Sequence, residues 1–595
     1  MRSVNMLLLN VHDAADCGPS TGAAGRGVRR FSTRISPLAD PADAHADDAP
    51  RAPSGAPRSK GSPPMSLTAS PKDPQALRHG TEATIAPEDD ALHQGLGPRQ
   101  LQMIAIGGAI GTGLFLGAGG RLASAGPSLF IAYAVCGFFG YLMLRSLGEL
   151  VCHRPSSGSF VSYAREFYGE KAAFVSGWLY WMNWAMVAIA DSTAIAIYVH
   201  WFGQYSSFVA AIPQWAVALA VVVLVVVTNM ISVKVFGEME FWFSLIKVAA
   251  LVIFLIVGIC FVIFGSPTGS ETGFHLISDH GGIFPAGGMA TLMIVQGVVF
   301  AYAGIELVGT TSGETRDAQK VIPKAINTVI LRIAVFYVGS VLLLCLLLPY
   351  TAFKKGESPF VTFFSSIGVG AAGPIMELVV ITAALSSLNA GIYSTGRILH
   401  SMSHAGSAPK FAAMMTKSGV PFGGILLTAA VALLGVVLNY FVPSDAFEIV
   451  LNLSALGTIA AWATISLSHQ KFVSLTRKGL YIRPSYRAPF APYTNWLTLV
   501  FLAAVIVLIA VDYPVGTLTL GSFLVIVVPL LFIGWFAVRG RVAQIAAERA
   551  GITGVFPIAA IPPSVEAVRE KELREIEDAA QARIPQAELL DEDPR

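Results

Sequence analysis

Apolar runs recur along this chain from residue 101 to residue 538, and a run of about twenty residues, rising 1.5 Å per residue as a helix, matches the hydrocarbon thickness of a bilayer. Twelve such segments are predicted, at 101–120, 127–148, 172–201, 213–233, 240–264, 286–311, 324–348, 371–396, 421–442, 445–467, 495–512 and 516–538. Their length and interior glycines favour helices over barrel strands, which would alternate polar and apolar at every second residue. The expected fold class is all-α, a twelve-transmembrane-helix membrane protein. Composition agrees, because 13% of residues are charged, about half the fraction of a soluble domain.

Orientation follows from lysine and arginine, which short cytoplasmic loops retain. Fifteen of them fall in even-numbered connections, among them Arg154, Arg165, Lys171, Lys234, Arg316, Lys324, Arg397 and Lys471, whereas odd-numbered connections hold Arg121, Lys354 and Lys355. Both termini are expected to face the cytoplasm. A formal charge of +2 gives no reason to invoke nucleic acid. The five cysteines lack C-x-x-C spacing, so neither a metal site nor a disulfide framework is implied. Residues 1–95, rich in Ala, Pro, Gly, Ser and Asp, have no periodicity and are expected to form a disordered cytoplasmic tail. Met65 is a candidate alternative start. The membrane domain is placed at 96–540, and 541–595 is expected to be a second cytoplasmic tail with helix-supporting charge pairs.

Residues 107–120, GGAIGTGLFLGAGG, carry seven glycines, each costing roughly 0.5–1 kcal/mol relative to alanine inside a helix. A comparable interruption, FAYAGIELVG, lies in the sixth segment. A separation of five segments is what an inverted five-plus-five repeat gives, with a broken helix opening each half and a binding site near the bilayer midplane. An unwound turn frees N–H groups on one side and carbonyls on the other, and lipid satisfies neither. The N–H end suits a carboxylate and the carbonyl end an ammonium group. A zwitterionic amino acid supplies both. On this reading the N–H groups of Thr112 and Gly113, with the Thr112 hydroxyl, receive the α-carboxylate, and carbonyls of Ala109, Phe300 and Ala303 receive the α-amino group. Gly111, Gly113 and Gly304 complete the substrate-binding set by letting the main chain unwind and approach the ligand. The alternative is helix packing, since Gly107 with Gly111 and Gly113 with Gly117 fit small-x-x-x-small spacing.

GGAIGTGLF, GEMEFWFSLIKV, QGVVFAYAGIELVGT, VIPKAINTVI and ALSSLNAGIYSTGRIL together resemble the amino acid transporter group of the amino acid, polyamine and organocation superfamily, over about residues 90–540. TGFHLISDHGGIFP, SPFVTFFSSIG and NYFVPSDAFEIVLNLSALG are most similar to its bacterial L-asparagine permease branch. The resemblance implies the five-plus-five fold, substrate at breaks in helices 1 and 6, proton-coupled uptake, and an aromatic at Phe300 that closes over substrate. It also implies a lysine at Lys247 whose ammonium stands where related folds bind sodium.

An ionisable side chain near the bilayer centre costs about 2.5–3.5 kcal/mol on insertion scales, so each needs a partner or a purpose. Lys247 is the preferred proton-coupling residue, Asp191 a relay or partner of an internal cation, and Glu306 a gating residue, a proton-linked one or a structural partner. Arg332 is expected to be an interfacial anchor or structural partner. A carboxamide substrate needs neutral donors and acceptors; Asn183, Ser386, Ser387, Asn389, Asn452 and Ser454 are the candidates. Gly-Lys does not occur, which excludes a phosphate-cradling P-loop; H-E-x-x-H is absent, and G-x-S-x-G occurs as GPSTG at 18–22, in the aperiodic tail and without the strand-to-helix setting of a nucleophile elbow. The expected function is secondary active import of a neutral amino acid, asparagine foremost, with no enzymatic activity and no cofactor. An exchanger, a permease for GABA, proline or aromatic amino acids, and a non-transporting sensor are the alternatives.

Overall fold

The computed structural model describes residues 99–100, 103, 110–315, 318–441 and 446–553. The two expected tails up to residue 95 and beyond 553, with Ala109 and Arg316, lie outside them. Among the described residues the architecture is helical and contains no β-strand. In chain order the principal helices are α1 (Thr112–Phe115), α2 (Gly117–Ala125), α3 (Leu129–His153), α4 (Ser159–Tyr168), α5 (Glu170–Trp201), α6 (Gln214–Ile231) and α7 (Val233–Phe264). There follow α8 (Gly287–Ala301), α9 (Leu307–Thr310), α10 (Ala318–Leu347), α11 (Pro359–Ser366), α12 (Ala372–His404), α13 (Phe422–Phe441) and α14 (Ala446–Arg477). The series ends with α15 (Tyr493–Val511), α16 (Val515–Ser522) and α17 (Val528–Thr553).

Nine helical stretches of the described residues are long and apolar enough to cross a membrane, with two shorter apolar helices, Gly287–Ala301 and Phe422–Val437. The chain is a multi-pass membrane protein. Helix α5 forms the inner scaffold, packing along α12, α14, α13 and α6. At the other extreme, α15 to α17 expose Trp496, Val500, Leu518, Val525, Leu530 and Phe532, an arrangement that water would penalise and acyl chains would not.

Several helices run past their expected ends. The interval 234–239 reads as a polar connection in the sequence, yet α7 starts at Val233, because Ser232 accepts a hydrogen bond from the Val235 N–H at 3.2 Å and caps the new helix. That early start brings Glu240 inside the bundle, fully buried. Helix α12 continues to His404, so Arg397 belongs to a helix and not to a connection. Its guanidinium is 1% exposed and lies 3.5 Å from the centroid of the Tyr393 ring, which in turn stacks on Phe236. Cation–π contact replaces water there. The last helix likewise passes the expected boundary at 540 and ends at Thr553.

Candidate functional site

Two irregular stretches of main chain meet at the centre of the bundle. Gly111 is extended, with φ −128° and ψ −160°, and α1 starts at Thr112 directly after it. Opposite, α8 ends at Ala301 and α9 begins at Leu307, leaving Tyr302–Glu306 as an unwound turn. Gly304 stands there at φ +99°, in the left-handed region that a side chain disfavours. The two stretches touch: a Cβ on Gly113 would lie 2.5 Å from the Ala301 Cα. Glycine at 113 is therefore a requirement of backbone-to-backbone contact between α1 and α8.

Three tyrosines hold the unwound turn in place. Tyr302 donates to the Tyr133 carbonyl at 2.7 Å and stacks on Tyr337, whose hydroxyl donates to the Ala301 carbonyl at 3.3 Å. Over Ile333–Gly339 helix α10 widens into a π-helical turn, a device that re-aims side chains, and Tyr337 lies on it. Glu306 folds back so that both carboxylate oxygens accept from the Gly304 N–H at 3.2 Å. One freed main-chain donor is thus satisfied from within the chain.

Beside the contact lies a small pocket lined by Gly111, Thr112, Gly113, Trp184, Val187, Phe300, Ala301, Ala303 and Ser387. Six sequence-derived candidates meet there: Gly111, Thr112, Gly113, Phe300, Ala303 and Ser387. Trp184 and Val187, one turn apart on α5, give no signal of their own in the sequence, since they read as apolar core. Gly391 seats the Trp184 ring, because a Cβ there would lie 2.5 Å from the ring.

The expected polar contributors divide. Thr112 donates its hydroxyl to Asp191 Oδ1 at 2.7 Å, so its proton is engaged by the protein. Ser387 lies against the same carboxylate. Next to it on α12, Ser386 accepts from Lys247 Nζ at 2.9 Å and donates to Glu240 Oε1, whose other oxygen accepts from Asn389 at 3.4 Å. Asn389 also receives a 2.7 Å bond from Asn229. A buried set of two carboxylates and one ammonium therefore runs from the start of α1 to α7. Glu240 is the member that the sequence reading did not single out, although it opens the segment predicted at 240–264. Asn183 instead ties α5 to α14, accepting from Ser454 at 2.6 Å and Thr458 at 3.3 Å. Asn452 is half-buried on α14 and does not line the pocket. Arg332 borders a separate, small and mainly apolar cavity with Ile110, Ile305 and Phe336.

The sequence pattern of amino acid permeases matches residues 100–547, which contain every element just described. The chain belongs to the amino acid permease family. The permease is 58% identical over 477 residues to L-asparagine permease 1 of Mycobacterium tuberculosis, covering 80% of this chain and 96% of that protein. It is 58% identical over 458 residues to L-asparagine permease of Salmonella typhimurium, covering 77% of this chain and 91% of the relative. With L-asparagine permease of Escherichia coli the identity is 57% over the same length and the same shares. The permease is accordingly a transporter of amino acids and not an enzyme.

Proposed function

We propose that the permease imports L-asparagine across the bacterial inner membrane together with a proton, by alternating access around a fixed central site. The observation that carries the amino acid part is the pocket joining the start of α1 to the α8–α9 turn. Its lining joins Gly111–Gly113, at the start of α1, to Phe300, Ala301 and Ala303, at the end of α8 and in the turn that follows; main-chain N–H groups of the first set and carbonyls of the second would supply the two polarities that a zwitterion needs. Gly111, Thr112 and Gly113 bind the carboxylate, with the Ala109 carbonyl expected beside Phe300, Ala303 and Gly304 for the ammonium group. Phe300 closes over the ligand. Ser387, at the edge of the pocket, is the nearest side-chain partner for the carboxamide. The relatives' names supply asparagine as the substrate.

Charge accounting supports the proton. Lys247 balances one of the two acids Glu240 and Asp191 and leaves one negative charge in excess in a site sealed from water; a proton cancels it. Thr112 bonds Asp191 directly, so protonation and substrate binding act on the same few atoms. By linkage each then tightens the other. Twelve crossings arranged as a five-plus-five inverted repeat, cytoplasmic termini and tails outside the transport machinery complete the reading.

The test is uptake of labelled asparagine by the full-length chain in sealed vesicles under an imposed inward proton gradient. Expected are accumulation that a protonophore abolishes, and unlabelled asparagine outcompeting glutamine, GABA, proline and phenylalanine. Binding without accumulation would make the protein a sensor. Accumulation that depends on amino acid in the opposite compartment would make it an exchanger, and either result overturns symport.

A further inference from the structure

Arg121 stands in α2 one turn above the pocket, half-buried, and belongs to none of the machinery described so far. Its Nη1 donates to the Gly113 carbonyl at 3.3 Å, and Gly113 lines the pocket. Tyr133 donates to the same carbonyl at 3.2 Å. The guanidinium lies in a slot made by glycines on two helices. A Cβ on Gly297 would lie 2.5 Å from both Nε and Nη2, and one on Gly117 would collide with Nη1. Gly117 follows Gly113 by one helical turn, and Gly297 precedes Phe300 and Ala301 by one turn. The cation therefore continues the two pocket-forming faces of α1–α2 and α8. Among the described residues no Asp or Glu pairs with Arg121. A guanidinium carries five N–H donors in a planar fork suited to carboxylates, and it is a permanent cation. The Gly113 carbonyl and the Tyr133 hydroxyl beside it engage part of that fork, and neither is a carboxylate.

We propose that Arg121 is a specificity-determining residue, a charge filter at the lip of the pocket that passes zwitterionic and anionic amino acids and turns away those with a cationic side chain. A second positive charge brought to the pocket from this side would meet the half-buried Arg121, with no acid beside it to offset the repulsion. A substrate carboxylate meets spare donors at the same place. This deepens the asparagine reading and rests on it for the location of the entry route.

The experiment is competition against labelled asparagine uptake by L-2,4-diaminobutyrate, whose side chain ends in an ammonium where asparagine has an amide, and by L-aspartate. The readout is the ratio of their half-inhibitory concentrations within each variant, which does not depend on how much protein is active. In wild type and Arg121→Lys, diaminobutyrate is expected to compete far worse than aspartate. In Arg121→Gln the ratio should fall about tenfold or more, a change of ~1.4 kcal/mol, and in Arg121→Glu it should invert. Ratios unchanged in Arg121→Gln and Arg121→Glu overturn the filter. For any variant without uptake, the same ratio is read from thermal stabilisation of the detergent-purified protein by each amino acid. Should wild type accumulate another amino acid of the panel instead of asparagine, the substrate reading fails on its own. The charge ratio is then measured against that amino acid.

Discussion

Lys247, Ser386 and Glu240 form a short buried chain in which each member has a partner, and the physics of buried charge makes their substitution informative. Removing one partner leaves an uncompensated charge and costs about 3–5 kcal/mol, whereas removing both is often close to neutral. Lys247→Met and Glu240→Gln are each expected to lower stability by roughly that amount, and the double variant to regain most of it. Proton-driven accumulation of asparagine should be lost in all three. Exchange of asparagine across the membrane should persist in the double variant. Thermal unfolding in detergent and paired uptake and exchange assays check this; undiminished accumulation by Lys247→Met would remove the lysine from coupling. The sequence exposed Lys247 because a lysine flanked by apolar residues has no way to water. It hid Glu240, which stands at the first position of the predicted segment 240–264, next to the polar interval that holds Lys234 and Glu238, and so does not stand out as an acid set in lipid.

Helix breaks act at the scale of whole elements. The α8–α9 turn needs Gly304 at φ +99°, and the Glu306 carboxylate satisfies the N–H freed there. Gly304→Ala is expected to cost about 1–3 kcal/mol of backbone strain, to be relieved by rewinding or shifting the turn. Because the neighbouring Ala303 lines the pocket, the expected phenotype is a rise in KM for asparagine larger than any loss of protein in the membrane. Glu306→Gln keeps an acceptor at the same place and should be far milder. Kinetics normalised to purified protein distinguish the two, and equal KM values for Gly304→Ala and wild type would show that the turn does not shape the pocket. The sequence marked the α8–α9 break by the glycines around it, and in the first glycine-rich stretch Gly111 is extended ahead of α1. The π-helical turn at Ile333–Gly339, which helps to hold the second break, left no such mark because its apolar residues read as an unbroken part of the membrane span.

For the molecule as a whole, the ends of the bundle are clamped by ion pairs outside the apolar spans. Glu166 on α4 meets Arg154 at 2.9 Å and His153 at 3.2 Å. Burial alone would raise its pKa, but Arg154 and His153 outweigh burial and hold it at about 2, against an ordinary 4.5. A carboxyl lowered on folding stabilises the protein above its unfolded value, and that contribution disappears as pH falls from about 4.5 towards 2. The shift corresponds to on the order of 3 kcal/mol. Thermal stability of the purified permease should fall across this window, and Glu166→Gln should flatten the fall while lowering stability at neutral pH. An identical pH slope in the variant would count against the clamp.

What the sequence determined by itself is whatever depends on local composition: helices from apolar runs, breaks from glycine, and a need for partners from charges set in lipid-like surroundings. Those properties are carried by consecutive residues and by the solvent around them. Only the tertiary structure decided which partners meet, that Asp191 accepts the hydrogen bond of the Thr112 hydroxyl, that Asn183 joins two helices and does not line the pocket, and that Arg121 sits beside the pocket in a two-glycine slot. These pairings join residues tens to hundreds of positions apart. Their distances are set by how helices cross, a property of close packing among many side chains at once that no single segment encodes.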